Sequence, residues 1–196
     1  MRSSLRHIAL VSALVALWVG GASASDCVET KPIAFDTFMR GAISASVPLK
    51  VAVPSNYRHA DLAEIGSTYS YWMMPGAAKR AKRSGDLPAS GYLYGKVSMD
   101  VAYDAERDLF VDGDGGDIRQ QLAGEGAIAV EQTRIRGHTL LFLEVSPEPN
   151  ARKVYAVYLA LNRATNAVYL AYRPPVGDAA AGDCFWKMFK ATMMAE

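Results

Sequence analysis

Seven carboxylates fall within eighteen residues of this chain: Asp100, Asp104, Glu106, Asp108, Asp112, Asp114 and Asp117, interrupted by Arg107. Closely spaced oxygen ligands on a glycine-rich turn are what a hard cation such as calcium requires, and Asp112-Gly113-Asp114-Gly115-Gly116-Asp117 has that composition. The EF-hand register fails, however. With Asp112 as first ligand, Asp117 stands where the invariant glycine belongs and Ala123 where the bidentate glutamate belongs. The segment reads first as a solvated turn with Asp117 capping a following helix, and calcium is the one cofactor it suggests. Glycosidase chemistry would need two of these carboxylates facing each other across a substrate, and the spacing selects no such pair.

Other catalytic groups are sparse. His59 lies in the polar stretch Asn56-Tyr57-Arg58-His59 and His138 beside the turn residue Gly137; either titrates near neutrality, and both read as loop or surface histidines without a recognisable partner. There is no Gly-x-Ser-x-Gly elbow, since Gly66-Ser67 lacks the second glycine. A phosphate-binding glycine loop, His-Glu-x-x-His and Cys-x-x-Cys are all missing. The expectation is a protein that binds rather than one that catalyses.

The N-terminus supplies an address. Arg2 and Arg6 precede a twelve-residue run, 8–19, in which only Ser12 is polar, and Ala22-Ser23-Ala24 follows with small residues where a signal peptidase needs them. The run is shorter than the roughly 20 residues of a membrane-spanning helix. Residues 1–24 are expected to be a cleaved signal peptide, with cleavage near Ala24-Ser25, and 25–196 one exported domain in the periplasm with no integral membrane segment after cleavage. Removing two arginines leaves 19 basic against 20 acidic residues, a balance without the basic footprint of a nucleic-acid partner. Cys27 and Cys184 are the only cysteines, and an even count in an oxidising compartment predicts a disulfide. A metal pair or a catalytic thiol is the competing use.

Those residues need a scaffold, and hydrophobic periodicity outlines one. Residues 48–53 alternate as a strand and 67–73 form a β-rich segment, predicted to pair as a hairpin. Pro75 opens a helix through 77–83 that ends at Gly85, and its Lys79-Arg80-Ala81-Lys82-Arg83 run reads as a solvated basic face or a contact for an anionic partner. The longest strand, 91–103, puts Leu93, Val97, Met99 and Val101 on its buried side. Asp117 and Gln120 suggest a capping box for a short helix ending at Gly124.

Four strands at 127–136, 139–145, 153–161 and 167–172, separated by short turns, predict an antiparallel meander. A closing helix, N-capped by Asp183 with Phe185, Met188, Phe189 and Thr192 on one stripe, should lie on the sheet. The fold class is therefore α+β, an antiparallel sheet with helices packed on it. This element order, opened by Leu49-Lys50-Val51-Ala52-Val53-Pro54, resembles the PsbP-like class of α/β/α sandwiches.

In size, export, a single disulfide and the lack of catalytic motifs, the chain also resembles the periplasmic immunity-type inhibitors of bacterial contact-dependent toxin systems. That resemblance implies a partner protein, a cognate toxin or an envelope enzyme, and no particular site residue. From exposure and charge, the expected partner-binding residues are Asp108, Asp112, Asp114 and Asp117, with Glu148 in the loop 146–150. The alternative is an envelope hydrolase or a metal- or ligand-binding protein using the acidic segment 100–117.

Overall fold

The computed structural model describes residues 27–40, 43, 47–62, 69–146, 153–161, 166–177 and 179–195. Residues 1–24 and Glu148 lie outside them. Strands β1 (Thr30–Ala34) and β2 (Lys50–Pro54) form a two-stranded antiparallel ribbon with helix α1 (Phe35–Met39) between them in sequence. The main sheet adds β3 (Arg58–Ala60), β4 (Tyr69–Met73), β5 (Tyr92–Asp104), β6 (Leu109–Asp112), β7 (Ala127–Ile135), β8 (His138–Val145), β9 (Val154–Ala160) and β10 (Asn166–Arg173). Its order is β3-β4-β5-β10-β9-β8-β7, with β6 paired to the far half of β5, and every pair is antiparallel. Helices α2 (Pro75–Arg80), α3 (Ile118–Gly124) and α4 (Ala179–Met194) complete the described elements. The α+β class and the sequential meander β7 to β10 are as expected.

One sheet face carries the main core. Trp72, Leu93, Leu140, Phe142, Tyr155, Val157, Leu159, Val168, Leu170 and Tyr172 pack beneath α1, the β1–β2 ribbon and α4. Helix α4 begins four residues before Asp183, so Asp183 is no cap; its carboxylate accepts from the Tyr155 hydroxyl at 2.5 Å and from Lys153 Nζ at 3.0 Å. The buried stripe is Phe185, Trp186, Phe189 and Met193, at the 3–4 residue spacing of one helix face; Met188 and Thr192 sit at its margin. Cys184 is bonded to Cys27, whose Cα is 5.6 Å away, and the bond pins α4 to the ribbon.

Three further expectations are corrected. Segment 48–53 does not pair with β4, the described part of 67–73: β2 takes β1 as its partner and packs against α4, whereas β4 is flanked by β3 and β5. Helix α2 stops at Arg80, Ala81 turns inward to complete burial, and Asp86 receives the N–H groups of Lys82 and Arg83, so the basic run is not one helix face. Met99, placed on the buried side by alternation, is 80% exposed.

Candidate functional site

The Met99 displacement has a local cause that shapes the site. Strand β5 follows β10 regularly from Tyr92 to Val97, then slips register before Ala102. At the slip, buried Ser98 turns its Oγ back to accept the N–H of Val101 at 3.2 Å. A bulge of this kind adds a residue, bends the strand and re-aims side chains. Beyond it, β5 takes β6 on the edge that β4 occupies earlier, while Ala102 still pairs with Asn166 of β10, and Met99 and Asp100 are left on an open rim.

Strand β6 ends in a tight turn built by Asp112. Its Oδ1 accepts N–H groups from Asp114 at 3.0 Å and Gly116 at 2.8 Å, and the main chain closes with Asp112 N–H to Gly116 C=O at 3.0 Å. Gly115, at φ 81°, supplies the left-handed step. Asp117 then caps α3 by accepting the N–H of Arg119 at 3.0 Å. The helix lays Ile118 and Leu122 inward and ends with Glu125 exposed at its C-cap.

Between this turn, α3, the bulge and β9 lies a cleft of about 470 Å³. Asp100, Asp112, Asp114 and Glu125 contribute four carboxylates to its lining, while Met99, Val101, Ile118, Leu122 and Tyr158 give it an apolar floor. No lysine or arginine belongs to the lining. Burial, then the neighbouring Tyr94, Asp100 and Glu125, push the Tyr158 phenol up to about 12, so it keeps its proton at every physiological pH. A cleft with walls of one sign and an apolar base concentrates field lines and favours a cation carrying an aliphatic stem.

The structure thus divides the seven expected acids, of which Glu106 is exposed outside the cleft, its main-chain N–H donated to Asp104 Oδ1 at 3.0 Å. Asp112 and Asp114 face the cleft together with Asp100. Asp104 pairs with Arg107 at 2.6 Å. Asp108, in the left-handed region at φ 54°, accepts from Tyr103 and from Arg134 at 3.2 Å. Asp117 is forked by Arg119 at 2.7 to 3.0 Å, and that guanidinium holds its carboxyl below the usual range. Asp108 and Asp117 are therefore placed outside the cleft, their charge already paired. Glu125 was missed, although a cap at Asp117 and a stop at Gly124 already put it at the end of a two-turn helix. Among the described residues, no three His, Cys, Asp or Glu side chains converge as a metal site.

From Tyr158 a row of tyrosines crosses the same sheet face. Tyr158 lies 4.8 Å from Tyr169, Tyr169 5.8 Å from Tyr94, Tyr94 5.6 Å from Tyr71 and Tyr71 6.2 Å from Tyr69. Alanines 156, 160, 167 and 171 between them keep the face shallow. The row ends near a smaller hollow of about 200 Å³ containing Arg40, His59 and Asp61.

Neither histidine is a free surface group. His59 Nδ1 is 2.8 Å from Arg40 and 3.0 Å from Asp61, with its ring edge-on to Trp72, and burial followed by Arg40 lowers its pKa. His138 opens β8, is 4% exposed and approaches the Ala160 carbonyl through Nδ1 at 3.2 Å. Packing on the sheet buries His138 and half-buries His59, which local polarity could not foretell.

Fold and cleft together define an α+β protein whose antiparallel sheet carries a shallow tyrosine face and an acid-rimmed groove. No family model and no curated protein matches the chain. It is similar to the solution structure of cyanobacterial PsbP (CyanoP) from Synechocystis sp. PCC 6803, at 10% identity and a TM-score of 0.47, over 89% of this chain and 96% of that one. No residue role passes across that distance.

Proposed function

We propose that this protein is an exported binding module, an immunity-type inhibitor that captures a basic surface of a secreted toxin or envelope enzyme in the acidic cleft. The observation that carries the reading is the cleft lining: four carboxylates without a countercharge above Met99, Leu122 and Tyr158. A lysine or arginine side chain of the partner would lay its methylenes on that floor and its charge among the acids. The tyrosine face beside it offers rigid aromatic contacts of the kind that dominate interface energies. The Cys27–Cys184 bond supports export to an oxidising compartment, taken here to be the periplasm after removal of residues 1–24. The module acts by occupying its target and needs no catalytic group or cofactor of its own.

The test is complex formation between the purified exported protein and the product of an adjacent gene, followed by association kinetics at low and high salt. Asp100→Asn with Glu125→Gln should slow association by about tenfold or more at low salt and flatten the salt dependence, leaving the fold intact. An unaltered association rate would remove the cleft from the binding site. Absence of any complex, together with micromolar calcium binding lost on Asp114→Asn, would transfer the acidic segment to the metal-binding alternative.

A further inference from the structure

We infer that the protein pairs with a second copy of itself by antiparallel addition across the free edge of β7, a surface separate from the acidic cleft. The two ends of the main sheet differ. At one end β3 has only three residues, a length too short to template another chain. At the other, β7 has nine residues, no proline and only two charged side chains, Glu131 and Arg134, each already paired within the chain, and it pairs only with β8 among the described strands. Long edges are normally blunted by charge, proline or a covering element. Here Ile128 and Val130 are 57% and 39% exposed.

Which backbone groups are available follows from the β7–β8 turn. Ile135 faces His138 across the two-residue loop Arg136-Gly137, with φ values of 50° and 82°. Positive φ at both positions is a type I′ turn, whose flanking residues exchange hydrogen bonds with each other. Alternation along the ladder then turns Ile135, Thr133 and Glu131 toward β8, and leaves the N–H and C=O groups of Arg134, Gln132 and Val130 facing outward.

Charge chooses the register of self-pairing. With Glu131 on the two-fold axis, two carboxylates would oppose each other, which is unfavourable. With Val130 on the axis, the bulge between Ala127 and Ala129 would interrupt the new ladder. With Gln132 on the axis, Glu131 faces Thr133, Ala129 faces Ile135 and Val130 faces Arg134, using only the regular part of the strand. In that register the aliphatic stem of Arg134 of one copy, whose guanidinium is held by its own Asp108, covers Val130 of the other. No like charges meet.

The measurement is sedimentation equilibrium on the exported protein. Mass should climb from one chain toward two between about 1 μM and about 1 mM, the range suited to an interface below about 1,200 Å². Val130→Lys sets like charges opposite Arg134 twice per dimer and should raise the dissociation constant about tenfold or more, whereas Val130→Glu should retain or strengthen the dimer. Val130→Pro removes only an outward N–H, a position where an edge strand tolerates proline, and should also give monomer. A one-chain mass at about 1 mM, or equal weakening by lysine and glutamate at 130, would overturn the proposal.

Discussion

Gly95 sits in the middle of β5, between Ser70 of β4 and Leu170 of β10, where an added Cβ would meet Met39 Sδ at 2.6 Å, Leu170 Cδ2 at 2.7 Å and Phe38 Cε1 at 2.9 Å. Gly95→Ala should therefore destabilise the protein, against the usual benefit of replacing a strand glycine. That benefit, from a less flexible unfolded chain, is about 0.4–1 kcal/mol. Overpacking costs about 1–3 kcal/mol, and all three neighbours are 0% exposed, so none can swing outward into solvent. The balance is a loss of about 1–2 kcal/mol, or about 2–8 °C in Tm for a chain of this size. Phe38 and Met39 belong to α1, whose Phe38 carbonyl accepts from Ser70 and from Trp72 Nε1 at 3.1 Å, so the strain falls on the seam joining α1 to the sheet. Thermal and urea unfolding followed by circular dichroism measure the loss directly. A double-mutant cycle with Met39→Ala locates it: the second substitution should cost less after the first, because the alanine methyl then occupies space that the methionine vacates. Gly95→Ala as stable as the parent, or a cycle without coupling, would refute the close-approach argument.

Two further outcomes follow from the same chemistry. Cys27→Ala with Cys184→Ala opens a loop closed over a separation of 157 residues, for which the chain-entropy model gives about 5 kcal/mol, and the urea midpoint should fall steeply; an unchanged midpoint would show that the bond adds nothing. The His59 resonance should titrate below the ordinary 6.5, with Arg40→Gln moving the midpoint up and Asp61→Asn moving it down. Because the folded state resists this protonation, its contribution to stability is complete above 6.5 and is lost as pH falls below it, and His59→Gln should flatten that part of the stability profile.

The two halves of the chain differed in how far local pattern could be trusted. Strands β7 to β10 are separated by few residues, so each pairs with its sequence neighbour, and alternation together with the Gly, Pro and Asn signals between them was enough to place them. The N-terminal half is assembled by long-range contacts: β5 takes β10 as its partner, and β2 is matched to β1 and packs against α4. Segment 30–39 was not read as structure, since five-residue pieces carry too little periodicity. Asp183 looked like a cap because it directly precedes the apolar stripe that starts at Phe185, and Asp178, the acidic residue just before the helix onset at Ala179, was passed over in the sequence.

The sequence alone determined the cysteine pairing, the antiparallel meander, the closing helix on the sheet and the concentration of acid in 100–117. These rest on counts, periods and turns, which act over a few residues. Tertiary structure decided which acids remain unpaired. Asp108 found Arg134 from a distant strand, while Asp100, Asp112, Asp114 and Glu125 were gathered around one cleft by a bulge at Ser98 and a helix laid opposite it. The strength of a charge depends on what folds against it, and spacing along the chain does not carry that information.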